Sequence, residues 1–283
     1  MSLGILTNVA ATYAENNLNQ TQGSLQTVLQ QLSSGSRINS GADDAAGLSV
    51  ADGLHANEAA LTQSAQNAQN GVGLLQTADG ALSQVTNLLD RAVTLATEAA
   101  NGGLTTAQST AADTEFQSIV TEIGNIGTST NFNSTNVFSA TATNFVVSDG
   151  TAGGTTTIAA TTGALSNASI GTATGGGAGV DLSSSVLTSA TAATTALGNI
   201  TDAIADVANQ RGAIGANINQ LNAAANVASS EEVNLSSAES AIRSTNYGQA
   251  TSDLAKYQVL SQTGISALAQ ANSVQQEILK LLQ

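Results

Sequence analysis

The chain has 283 residues, of which 41% are hydrophobic, 9% charged and 2% aromatic, and it contains no Pro, Cys or Trp. The formal net charge of −14 argues against binding to nucleic acid or to an anionic membrane surface, and the lack of Cys excludes disulfides and thiolate metal sites. A compact globule of this length would normally carry more charge and more aromatic residues, so the composition favours a surface that meets copies of itself.

The first predicted element is a helix with apolar residues at seven-residue spacing: Ala11, Leu18, Leu25 and Leu32. Its other face is Asn, Gln, Ser and Thr, which are mostly modest helix formers, so this helix needs a partner to hold its shape. Gly35 can supply a left-handed cap at its end. Asp43 or Asp44 is placed to cap the helix that follows.

The longest predicted element is a helix over about residues 44–100. Its apolar residues also recur every seven positions, at Leu54, Leu61, Ala68, Leu75, Leu82, Leu89 and Ala96. At ~1.5 Å per residue such a helix is ~85 Å long, and it requires equally long partners. Stripes of similar period near both chain ends predict an elongated bundle in which the terminal helices lie side by side.

A stop at residues 101–103 separates this helix from a shorter, antiparallel one over about residues 106–126. Residues 133–185 then form an insert rich in Gly and Thr, too small for a large core of its own. Its predicted strands are residues 137–138, 145–147, 155–158 and 180–182. Residues 175–177, all Gly, are predicted to be a flexible loop.

The helical period returns at residue 186 and continues to Ser244, in steps of three and four that skip one step at Arg211. A break at residues 244–248 precedes the last helix. Its apolar band includes Leu254, Leu260, Leu268, Ile278 and Leu281. Within the chain only the amino-terminal helix is available to cover this band, so something outside the chain should cover the remainder.

Candidates for catalytic or metal-binding chemistry are few. His55 is the single histidine, and an exposed polar position is favoured over a catalytic role. Asp43 and Asp44 are interpreted as helix caps rather than cation ligands, and residues 231–232 as a solvated helix face. Arg211 has two interpretations: it lies along the bundle surface with its head in water, or it forms an ion pair that fixes register within or between subunits. The sequence therefore predicts no enzyme activity, no cofactor and no metal.

Two sequence motifs resemble those of bacterial flagellin. Residues 32–40, LSSGSRINS, and 43–48, DDAAGL, are similar to the amino-terminal signature of that family. Residues 258–272, QVLSQTGISALAQAN, are similar to the carboxyl-terminal one. The resemblance covers about residues 1–139 and 190–283.

The resemblance implies an all-α, elongated coiled-coil rod with a small β-rich central insert. Residues 1–44 and 245–283 would form an inner layer, 45–132 and 186–244 a rod layer, and 133–185 an outer insert. In the inner layer, the expected packing residues are Leu18, Leu25, Leu32, Leu254, Leu260, Leu268, Ile278 and Leu281. The implied function is that of a secreted structural subunit, which polymerises with itself into the extracellular filament of the bacterial flagellum.

Two alternatives stay open. A hook–filament junction protein has the same architecture, although the carboxyl-terminal residues 268–272 and 279–282 favour flagellin. An enzyme carried in the insert would need a metal motif such as H-E-x-x-H, and the insert contains no His.

The resemblance also implies partners. A secretion chaperone would cover the last helix, with Leu254, Leu260, Leu268 and Ile278 as its contacts, and export would use the flagellar channel, since no secretory leader is visible. Cap and junction proteins of the flagellum are further expected partners.

A host Toll-like receptor is the last implied partner. In many flagellins it contacts an Arg and a Leu near the end of the long helix and a Glu on the next helix. Those positions fall on Arg91, Leu95 and Glu115. An antiparallel third helix would bring Glu115 near Arg91. The alternative is a surface ion pair between Arg91 and Glu115, with Leu95 in a bundle or subunit contact.

Overall fold

The structure is a computed structural model that describes residues 8–150, 156–173 and 177–281, without the side chains of residues 173 and 278–281. Its helices are α1 (Val9–Ser34), α2 (Ala45–Ala100), α3 (Thr106–Ser129), α4 (Ala190–Arg243) and α5 (Tyr247–Leu281). Its strands are β1 (Asn131–Phe132), β2 (Thr135–Asn136), β3 (Thr143–Val146), β4 (Thr157–Ala160), β5 (Ile170–Ala173) and β6 (Gly177–Val180). Among the helices described, none has a stretch long and apolar enough to cross a membrane.

The chain divides into two compact units. The terminal unit comprises Met1–Ala56 and Asn234–Gln283, and the central unit comprises Asn57–Val233. Helices α2 and α4 contribute residues to both. The three-layer division implied by the resemblance has different boundaries and stays a prediction.

In the terminal unit, α1 and α5 pair in antiparallel fashion. Asn8 Nδ2 donates a hydrogen bond to the carbonyl of Ala271 at 2.9 Å. Further along, Gly264 faces Leu18 so closely that a Cβ on the glycine would lie 3.3 Å from Leu18 Cδ1. The predicted pairing of the terminal helices is confirmed.

Capping explains where the first two helices end and begin. Gly35 closes α1 in the left-handed region, with φ 71°, and its N–H donates to the carbonyl of Gln31, as predicted. Asp44 Oδ1 accepts from the Gly47 N–H at 2.8 Å and caps α2. Asp43 instead closes the preceding turn, since its Oδ2 accepts from the N–H groups of Asn39 and Ser40, and these hydrogen bonds lower the pKa of its carboxyl.

The central unit has a continuous apolar core built from α2, α3 and α4. The seven-residue stripe of α2 is its centre, because Leu75, Leu82 and Leu89 are fully buried. The other helices supply Phe116, Ile119, Ile123, Ile200, Ile214 and Leu221 to the same cluster. The long helical stripes therefore bury their apolar faces against each other, as the periodicity predicts. Helix α3 ends at Ser129 rather than near residue 126.

The strand predictions were partly wrong. The described strands form three antiparallel pairs, β1 with β2, β3 with β4 and β5 with β6. Strands β3 and β4 confirm two of the predicted runs, although residue 155 lies outside the described residues. No strand covers residues 137–138, which are buried, and β6 ends where a strand was predicted to begin.

Strands β1, β2 and β5 were missed altogether, and Gly177 belongs to β6 rather than to a loop, while residues 175–176 lie outside the described part. For β5 and β6 the reason is that they pair through a backbone rich in Gly and Ala. Strand propensity mainly reports side-chain packing, so it carries little signal for such a pair.

The insert is attached to the helices. Ser64, buried on α2, accepts a hydrogen bond from the N–H of Ser148 at 2.9 Å and donates one to the same residue's carbonyl. Asn67, one turn further, donates to the carbonyl of Val146 at 3.1 Å. Leu165, Ile170 and Leu182 belong to the core cluster of the helices. The insert thus shares a core with α2, α3 and α4, as its small size predicts.

Candidate functional site

The helix pair α1–α5 exposes large apolar side chains. On α5 these are Tyr247, Val259, Leu260, Ile265 and Val274, and on α1 they are Val9, Tyr13 and Leu29. Val259 is 65% exposed and Ile265 50% exposed. Full burial of a large apolar side chain is favourable by about 1.5–3 kcal/mol, and covering these partly exposed ones would gain part of that. The pair therefore offers a surface that another apolar surface can cover.

The predicted packing residues are distributed unevenly over this pair. Leu18, Leu25, Leu32, Leu254 and Leu268 are half-buried. Leu260 is 43% exposed and, with Leu18, Tyr257 and Gly264, lines a groove between α1 and α5. The side chains of Ile278 and Leu281 lie outside the described residues. The structure therefore brings several of these leucines into the α1–α5 seam and leaves Leu260 at its edge.

In the terminal unit, hydrogen bonds join the α1–α2 connection to the α4–α5 connection. The N–H of Arg37 donates to the carbonyl of Arg243 at 2.6 Å, and the N–H of Thr245 donates to the carbonyl of Gly35 at 3.0 Å. The Arg37 guanidinium also reaches the carbonyl of Ile242 at 3.0 Å. Hence the α1–α2 connection and the α4–α5 connection are held as a pair, and sequence reasoning missed this because the partners are distant along the chain.

Arg91 and Glu115 meet on the surface of the central unit. Arg91 Nε donates to Glu115 Oε1 at 2.8 Å, with the two side chains 53% and 47% exposed. This hydrogen bond lowers the pKa of the Glu115 carboxyl and raises the pKa of the Arg91 guanidinium. Leu95 is 3% exposed and packs in the core, so the structure brings together two of the three predicted receptor residues.

Arg211 forms an ion pair within the chain. Its Nε donates to Asp79 Oδ1 at 2.7 Å and its Nη2 lies 3.3 Å from Asp79 Oδ2, which is a two-point contact between α4 and α2. Both side chains are more than a third exposed. Of the two interpretations, the ion pair is the one observed, and it lies within one subunit.

Gln210 occupies the buried position of α4 at which the apolar period skips a step beside Arg211. This side chain is 2% exposed, and its Nε2 donates to the carbonyl of Thr162 in the insert. Gln210 Oε1 has no hydrogen-bond partner among the described residues. Val207, Gln210 and Ile214 keep the spacing of three and four, which is the signal that could have placed Gln210 inside.

His55 lies on the surface, as predicted, with its side chain 69% exposed. Its Nδ1 is 3.5 Å from Glu239 Oε2, and Glu239 Oε1 accepts from the Arg243 guanidinium at 3.0 Å. The positive guanidinium beside that carboxylate disfavours the binding of a cation at this position.

Two family descriptions match helical regions toward the two ends of the chain. The family description "Bacterial flagellin N-terminal helical region" matches residues 5–143, and "Bacterial flagellin C-terminal helical region" matches residues 197–282. The crystal structure of Bacillus cereus flagellin matches at 24% identity with a TM-score of 0.47, over 57% of this chain and 88% of that chain.

Relatives match along nearly the whole chain. The flagellar filament 33 kDa core protein of Treponema phagedenis is 33% identical over 97% of this chain and 98% of its own length. A flagellin of Listeria innocua is 30% identical over 98% of both chains. With both helical regions matched and relatives aligned from end to end, the chain belongs to the bacterial flagellin family.

Proposed function

We propose that this chain is a structural subunit that polymerises into the extracellular filament of a bacterial flagellum, without catalytic activity of its own. The observation that carries the proposal is the uncovered apolar surface of the α1–α5 pair in a member of this family. A lone subunit leaves Val259 and Ile265 half or more exposed, and neighbouring copies would cover them. Relatives named as filament core proteins support the same reading.

The contact would be heterologous rather than closed. A helical filament requires one surface of the subunit to meet a different surface of the next copy, so that growth never terminates in a ring. The apolar surface of α1–α5 is one such surface.

The proposal is tested by substitution on α5. We expect Val259→Ser combined with Ile265→Ser to prevent growth from filament seeds, measured by sedimentation and electron microscopy. The matched control is Gln258→Ser combined with Gln262→Ser, which changes two exposed polar residues of the same helix. Normal filaments from the Val259 and Ile265 variant would overturn the role of this surface.

A secretion chaperone is proposed as the partner of α5 before assembly, with Leu254, Leu260, Leu268 and Ile278 as contacts. Leu254 and Leu268 are half-buried in the terminal unit, so a chaperone that covers them would compete with α1. Replacing the four residues with Ser should abolish a co-purified chaperone complex. Unchanged binding would contradict the assignment.

Recognition by a host Toll-like receptor is proposed at Arg91 and Glu115. Both side chains are exposed and fixed to each other by their ion pair, which presents a defined polar feature to a partner. Leu95 is an unfavourable anchor in the folded subunit because its side chain is buried.

Cap and junction proteins of the flagellum are the remaining proposed partners.

A further inference from the structure

The chain contains the dipeptide Asn-Gly twice, at Asn70–Gly71 and at Asn101–Gly102. In such a dipeptide the backbone nitrogen of the glycine can attack the side-chain carbonyl carbon of the asparagine, because no Cβ hinders its approach. The two dipeptides have the same intrinsic chemistry. They differ in the structure around them, which makes one a control for the other.

Asn70–Gly71 lies in the interior of α2. There the nitrogen of Gly71 is part of the helical backbone, whose N–H groups are hydrogen-bonded one turn back. Gly71 is buried, and a Cβ on it would lie 2.9 Å from Leu221 Cδ1 and 3.1 Å from Phe145 Cδ1. Attack on the Asn70 side chain would require this part of the core to open.

Asn101–Gly102 follows directly after the last residue of α2. Asn101, Gly102 and Gly103 are all exposed, and Gly102 has a φ of +68°. A Cβ on Gly102 would meet no atom within 4 Å, so there is space around the nucleophile. In the described part of the chain, no group accepts a hydrogen bond from the Gly102 N–H, and none holds the side-chain amide of Asn101.

We infer that Asn101 is a site of spontaneous deamidation in the folded protein. The Gly102 nitrogen forms a bond to Cγ of Asn101 and loses its proton, and the side-chain nitrogen leaves as ammonia, which gives a cyclic imide. Water then adds to one of the two imide carbonyls and opens the ring. The product is an aspartate or an isoaspartate at this position, with no oxidant or cofactor consumed.

The reaction changes the turn between α2 and α3. A new carboxylate stands at the carboxyl end of α2, where the helix dipole disfavours negative charge, and Glu98 lies nearby on the last turn. The isoaspartate product also lengthens the backbone by one carbon ahead of the capping box formed by Thr105 and Gln108. Because the reaction needs no enzyme, the modified fraction at Asn101 rises with the age of the chain.

The test is peptide mapping of full-length protein aged in mildly alkaline buffer. Cleavage after Glu separates the two sites, since residues 59–98 contain Asn70 and residues 99–115 contain Asn101. We expect the modified fraction of the 99–115 peptide, read by mass and by isoaspartyl methyltransferase labelling, to exceed that of Asn70 by more than about tenfold. In urea the two sites should react at similar rates.

The matched variant is Asn101→Gln, which keeps an amide but would need a larger ring, and it should remove the signal from the 99–115 peptide. An unmodified Asn101 in the folded protein would overturn the inference. Equal modification of Asn70 and Asn101 in the folded protein would also overturn it, because the structure would then provide no selectivity.

Discussion

Two sets of leucines with the same seven-residue spacing are buried to different extents in this molecule. Leu75, Leu82 and Leu89 of α2 are fully buried, whereas Leu18, Leu25 and Leu32 of α1 are only half-buried. The difference is in the number of neighbours, since α2 packs against α3 and α4 in the central unit and α1 packs along α5. Seven-residue spacing therefore identifies the apolar face of a helix but does not say how completely the chain can cover it.

The energetic consequence follows from the burial. Full burial of a leucine is favourable by about 1.5–3 kcal/mol, and half-burial captures only part of that. The terminal helices also have modest intrinsic helix propensity. We therefore expect α1 and α5 to be disordered in the free subunit and ordered in the filament.

The largest effect is expected from deleting residues 254–283. The deletion removes the partner of α1 and most of the exposed apolar residues of α5, so filaments should be absent by electron microscopy. The central unit keeps its own core, so helical circular dichroism and a cooperative thermal transition should persist. Filaments of normal appearance would contradict the requirement for α5 in polymerisation. Loss of the cooperative transition would contradict the expectation that the central unit stays folded without the end of α5.

The second prediction compares two leucines. Leu82→Ala should lower the free energy of unfolding by about 2–5 kcal/mol, because it leaves a cavity in a closed core. Leu260→Ala should lower it by less than about 1 kcal/mol, since that side chain is 43% exposed and leaves no closed cavity, while it still weakens polymerisation. Urea unfolding of the subunit measures the free energy of unfolding, and growth from seeds measures polymerisation. Equal losses of stability in the two variants would contradict the difference between the closed core of α2 and the open surface of α5.

The third prediction uses two glycines on α3 that differ in their contacts with the insert. A Cβ on Gly127 would overlap the carbonyl of Leu165, so Gly127→Ala should cost about 1–3 kcal/mol of unfolding free energy. A Cβ on Gly124 would lie 3.6 Å from the Asn167 nitrogen, an ordinary contact. Gly124→Ala should stabilise α3 by about 0.5–1 kcal/mol, measured by thermal unfolding. Stabilisation by both variants would show that the insert does not pack closely on α3.

The smallest effect concerns the exposed pair of Arg91 and Glu115. Because the folded-state pKa of Glu115 is lowered, its contribution to stability is present above the unfolded pKa and is lost as the pH falls through the folded one. Arg91→Ala should return the pKa of Glu115 to its ordinary value in an NMR titration, with little change in stability, since exposed ion pairs contribute little.

The same variants test the proposed receptor contact. A Toll-like receptor reporter assay on monomeric protein should give a weaker signal for Arg91→Ala and Glu115→Ala than for the natural chain. No signal from the natural chain would exclude recognition by the receptor. Equal signals from the natural chain and both variants would show that the receptor does not recognise the protein through Arg91 and Glu115.

Sequence reasoning was reliable for the helices and less so for the insert. The apolar stripes of α2 and α4 depend on the spacing of residues close together in the chain, which can be counted in the sequence. The ion pair of Arg91 and Glu115 was also predictable, because a short turn forces α3 to run back along α2. Strands β5 and β6 were not, since their pairing depends on backbone contacts between glycines and on the surface of α4 beneath them.

By itself the sequence determined the helical class, the apolar faces, the cap at Gly35, a cap at Asp43 or Asp44 and the family, because each of these depends on residues close together in the chain. Only the tertiary structure decided that the insert is the segment that covers Gln210, that Leu95 packs within the subunit and that Arg37 is tied to the connection before α5. These outcomes depend on which segments distant in the chain come together, and periodicity contains no information about that.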